Sequence, residues 1–148
     1  MGREGVMGRI NWGRVVLCGL LTGGVWMAIT APIFLLAFYE SEYVQALHAA
    51  QAAAHPRFNP LLVAAPLNLV AGIWIMWLYA AIRPRYGPGP KTAAVAGLAG
   101  WLAVAVIETE LALFHLLPLS LGGLAVPLGV ALPSMIVAAV VGAWQYQE

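Results

Sequence analysis

The sequence predicts an all-α, polytopic membrane protein of four transmembrane helices, with both chain ends on the cytoplasmic side and a short outer interfacial helix. Three observations lead there. Of 148 residues, 62% are hydrophobic and 9% are charged, against about 45–50% and about 25% in ordinary soluble domains. Seven cations and six acids are too few to cover a soluble fold of this size, a requirement that lipid removes. Four apolar stretches are long enough for the ~30 Å hydrocarbon core, which takes ~20 helical residues. Finally, the cations fall almost entirely on one side of those stretches.

The first stretch, Val15–Tyr39, holds 25 residues without a charge. Arg3, Arg9 and Arg14 before it look like the basic start of a signal peptide. A cleaved apolar region is only about 7–15 residues long, so a retained helix is expected. The next segment, Ser41–His55, reads as the short outer helix. Ser41 can cap it, Glu42 suits its positive end and Pro56 stops it. Tyr43, Leu47 and Ala54 share one face at helical spacing, which suits a helix lying along the outer membrane surface.

The second span covers Leu61–Ile82. A connector rich in proline and glycine, Arg83–Lys91, follows it and is stiff rather than floppy. The third span, Thr92–Leu117, carries Glu108 and Glu110 near its far end. A short turn, Pro118–Gly123, leads to the fourth span, Leu124–Tyr146. Helices are the expected form, because unpaired backbone groups in lipid cost several kcal/mol each and no barrel-like alternation is present. The chain reads as one domain.

Arg3, Arg9, Arg14, Arg83, Arg85 and Lys91 flank the spans on one side, and only Arg57 lies on the other. The positive-inside bias puts the first side in the cytoplasm. Aromatic residues give the same topology: Trp12, Trp77, Tyr79, Tyr86, Trp144 and Tyr146 form an inner belt, and Phe38, Tyr39 and Tyr43 an outer one. Small residues at four-residue spacing let backbones approach closely, as at Gly19 and Gly23, Ala93 and Gly97, Ala96 and Gly100, and Ala138 and Gly142. Pro32, Pro66, Pro127 and Pro133 are candidate kinks.

Chemistry has little material. Gly87, Gly89, Lys91 and Thr92 resemble the end of a phosphate-binding loop, but Pro88 and Pro90 interrupt it and lack the N–H groups that cradle a phosphate. No nucleotide is expected, and a net charge of +1 provides no clustered basic face for nucleic acid. Arg83, Arg85 and Lys91 are instead expected at anionic lipid headgroups. Cys18, the single cysteine, excludes an internal disulfide and reads as a small buried thiol.

Glu108 and Glu110 stand out, since ionisable groups inside a membrane are costly and often functional. Glu108 lies roughly 25 Å along the helix from Lys91, in the outer part of the span. The two acids point about 200° apart, so they form no carboxylate pair, and one of them is free to face a partner. Asn68 is a mid-membrane amide suited to bonding across helices. Glu108, Asn68 and His115 are the material of a transport reading. His48, His55 and His115 all fall on the outer side, and three imidazoles there offer a porphyrin-type pigment or metal its ligands. No nucleophile with a base, zinc-protease motif or dinucleotide fingerprint occurs, so catalysis is not expected.

The residues Ile10-Asn11-Trp12-x-Arg14-Val15-Val16, the 17-residue run from Trp77 to Ala93 and the ending Gly142-Ala143-Trp144-x-Tyr146 carry a resemblance. The chain resembles a family of small four-helix bacterial inner-membrane proteins of unassigned function. That resemblance implies a bacterial origin, the inner membrane and four spans, and it brings no catalytic or binding residues. The leading expectation is a non-catalytic accessory or structural subunit of a larger membrane complex, of the electron-transfer or photosynthetic kind. Its partners would be the lipid bilayer and other membrane subunits or further copies of the chain. The alternatives are a small oligomeric transporter or channel and a pigment- or metal-binding subunit.

Overall fold

The computed structural model describes residues 10–53, 60–113 and 120–146. All regular structure among them is helical: α1 (Trp12–Leu36), α2 (Glu42–Ala53), α3 (Pro60–Tyr86), α4 (Pro90–Leu113) and α5 (Ala125–Gln145). Four of these, all except α2, are long and apolar enough to cross a membrane.

The helix ends obey hydrogen bonding rather than hydropathy. α1 starts three residues before the apolar run because Asn11 caps it, its side-chain oxygen accepting from the Arg14 amide at 3.1 Å. It stops at Leu36 rather than Tyr39, and the Ala37 amide donates to the Ile33 carbonyl at 2.9 Å. The chain then turns so that Ser41 can cap α2, accepting from the Val44 amide at 3.4 Å. α3 continues past Ile82 to Tyr86 and carries Arg83 and Arg85 in its last turn, where cations meet the negative end of the helix dipole. Charge ended the apolar run there, not the helix. Gly87 then adopts φ 82°, a left-handed stop that favours glycine, and Pro90 opens α4 at the position where a missing amide costs nothing. The stiff connector thus shrinks to Gly87–Gly89, and the Thr92 hydroxyl donates back to the Gly87 carbonyl at 2.7 Å. The expected continuation of the third span to Leu117 lies outside the described residues. α5 matches the fourth span to within one residue at each end. Pro32, Pro66 and Pro133 do sit inside helices, whereas Pro127 is in the first turn of α5, where its amide would have had no helical partner.

The four long helices form a ring in the order α1, α3, α4, α5, with α1 closing on α5 and α3 touching α5 across the middle. Small residues make this possible. Gly19 and Gly23 of α1 meet the backbone of α3 at Ile73, Asn68 and Leu69, and Gly72 of α3 meets Gly19 and Gly23 in return. Gly97 packs on Met135, Ile136 and Ala139 of α5, Gly100 on Ile75, and Gly142 on Thr22 and Met76. Val15, Ile75, Met76, Met135 and Thr22 fill the centre and are essentially inaccessible. Association of helices in lipid rests on this close packing, because lipid offers no hydrophobic gain between them. Outside, Leu17, Leu36, Leu67, Val70, Leu102 and Ile107 are more than half exposed, so apolar faces surround the bundle.

Candidate functional site

Polar side chains gather at the two ends of the bundle. At one end, α2 folds back onto α1 and onto the loop before α5. Val44 is buried, and the Tyr43 ring packs on Phe34 with centroids 5.3 Å apart. Leu47, expected on the same apolar face, is 44% exposed. The register of α2 is fixed by Glu42. One carboxylate oxygen accepts from the Ser120 amide at 2.6 Å and the other from the Ser120 hydroxyl at 2.7 Å. That hydroxyl also accepts from the Gly123 amide at 2.9 Å. Gly123 leaves room for the clasp, since a Cβ there would push the Glu42 carboxylate aside. The two bonds from Ser120 hold the Glu42 carboxyl below the usual carboxylate range. Glu42 reads from sequence as a charge at a helix start; its partner 78 residues away had no signal.

Glu108 lies within electrostatic reach of α2. It is half-buried, its charge reaches the Tyr43 phenol, and its Oε2 has no hydrogen-bond partner. Burial first, and then the Glu108 charge, push the Tyr43 phenol up to about 12. Glu110 is exposed on the opposite side of α4, as the angle between the two acids requires. Asn68 lies elsewhere, at the crossing of α3 with Gly23 of α1, where it is partly buried. His48 is exposed on α2 and meets the Tyr39 ring edge-on at 5.5 Å. His55 and His115 lie outside the described residues. Among the described residues, no three His, Cys, Asp or Glu side chains gather as metal ligands.

The other hydroxyls of the spans are used locally. Thr22, Thr30, Thr109 and Ser134 each donate to the carbonyl four residues earlier in their own helix, at 2.6–2.9 Å. The Trp101 indole instead reaches across to the Leu128 carbonyl of α5 at 2.8 Å.

At the opposite end of the bundle, two aromatic residues expected in the lipid-facing belt are interior. Tyr79 and Tyr146 are 2% and 4% exposed and meet edge to face at 5.8 Å. The Tyr79 hydroxyl accepts from the Gly89 amide and the Tyr146 hydroxyl from the Asn11 amide, so both phenols have a partner and need not seek the interface. Trp12, Trp77, Tyr86 and Trp144 do face outward. Arg83 lies with its guanidinium 5.5 Å above the Tyr146 ring, a cation–π contact that ties it to the bundle. Arg85 and Lys91 remain exposed. Comparison with protein-family models, with curated proteins and with solved structures gives no match, so function rests on these residues alone.

Proposed function

We propose that the chain is a non-catalytic accessory or structural subunit of a larger complex in a bacterial inner membrane, with both ends in the cytoplasm. The observation that carries this reading is the close packing at the centre of the bundle among the described residues. Backbones touch at Gly19, Gly23 and Gly72, and Ile75, Met76 and Met135 occupy the middle. The interior is spent on packing, which leaves the broad apolar outer faces and the outward-pointing Glu110 as working surface. The one-sided cations support the orientation. Extraction in mild detergent tests the role: large redox subunits should copurify with the chain in a fixed ratio. Recovery as a lone homo-oligomer would sink the proposal.

A second reading is favoured by Glu108. Its unpartnered carboxylate oxygen under Tyr43 is the kind of group that carries a proton or cation in a small transporter. In liposomes, Glu108→Gln should abolish coupled flux on this reading. Flux that the substitution leaves unchanged removes it.

A further inference from the structure

On the outward side of α1, near its start, a cleft of about 300 Å³ is lined by Arg14, Leu17, Cys18, Leu21 and Gln145. Positions 14, 17, 18 and 21 follow helical spacing and form one face of α1, and Gln145 belongs to the end of α5. The cleft is therefore the outer edge of the seam where α1 closes on α5. Its two ends differ in chemistry. Arg14 is exposed at the rim, and of its five donors one is directed, at a long 3.5 Å, to the Gln145 carbonyl. Leu17 and Leu21 continue from Arg14 toward the middle of the span, over roughly 10 Å of helix, and both are open to the outside. Trp12 and Trp144 are exposed beside this rim, at 62% and 72%, and mark the level of the headgroups.

We propose that this cleft binds one anionic phospholipid, its phosphate on Arg14 and the first part of an acyl chain along Leu17 and Leu21. Charge complementarity selects the occupant. A guanidinium at headgroup depth with free N–H groups matches a phosphate, and an apolar wall running from it into the hydrocarbon matches the attached chain. A free phosphate would use the cation and waste the wall. The cleft is also far larger than the ~30 Å³ that one water occupies in the liquid. This inference rests on the chain spanning a membrane, but not on its role as a subunit.

The test is native mass spectrometry of the full chain released from bilayers of equal phosphatidylglycerol and phosphatidylcholine. The wild type should retain one phosphatidylglycerol. Arg14→Gln should retain roughly tenfold less, the loss of one charge-assisted contact, and Arg14→Lys should recover most of it. Leu17→Trp, which fills the cleft and keeps the charge, should also lower retention, whereas Arg85→Gln should not. Millimolar inorganic phosphate should leave retention unchanged. Equal retention by wild type and Arg14→Gln overturns the proposal, as does equal retention of phosphatidylcholine or displacement by inorganic phosphate. Helical circular dichroism of each variant identifies folding failures, and Leu17→Trp and Arg14→Lys then decide the matter. Loss of lipid binding would leave copurification with partners untouched, so the two proposals fail separately.

Discussion

Glu42 shows what a single carboxylate does in a molecule with so few charges. Its lowered pKa means that the clasp to Ser120 contributes fully above the ordinary carboxyl value of 4.5 and is lost as pH falls below it through the folded value. The hydrogen-exchange protection of α2, taken relative to the intrinsic rate at each pH, should therefore fall on acidification from pH 5 to about 3. Glu42→Gln should show low protection already at pH 7 and no such acid step. Tyr43 works in the opposite direction. Its phenol is raised from 10 to about 12, so neutral Tyr43 supports the docking of α2 fully below pH 10, and that support is lost as pH rises through about 12. Glu108→Gln removes the smaller cause and should lower the phenol's midpoint in a 295 nm absorbance titration. Neither contact was legible in sequence. Glu42 and Ser120 sit 78 residues apart with no spacing rule to join them. Tyr79 and Tyr146 have the composition of an aromatic belt, and only the packing of α3 against α5 shows that they are interior.

At the level of helices, spans and seams were legible and ends were not. Four apolar runs located four helices because lipid imposes length and hydropathy together. The ends depended on Asn11, Gly87 and Pro90, local devices that a hydropathy count passes over. The repeat of Gly19 and Gly23 advertised a contact face, but the third glycine, Gly72, answers from another helix and carries no repeat of its own. Gly72→Ala should destabilise the bundle by about 1–3 kcal/mol through overpacking, since its Cβ would overlap the backbone of α1. Gly24→Ala, where nothing lies within 4 Å, should be neutral or stabilising by up to about 1 kcal/mol. Asn11→Ala should cost about 1 kcal/mol as a lost cap. Reversible unfolding in mixed micelles measures all three, and equal effects at Gly72 and Gly24 would refute the seam.

For the whole molecule, the ring of four helices follows from small residues that let neighbours close, and the charge asymmetry is the ground for the proposed direction across the bilayer. In a Cys18→Ala background, Gln45→Cys on exposed α2 should react with a membrane-impermeant maleimide from outside intact cells. Arg85→Cys should react only after the membrane is permeabilised; the reverse pattern would invert the topology. Close packing among the described residues and apolar faces around the bundle suit lipid along some sides and, on the proposed role, other subunits along others. Native mass spectrometry of the particle extracted in mild detergent weighs that claim most directly. The expected result is a hetero-oligomer in which the 15.7 kDa chain keeps a constant ratio to larger subunits. A particle made only of copies of this chain would contradict it.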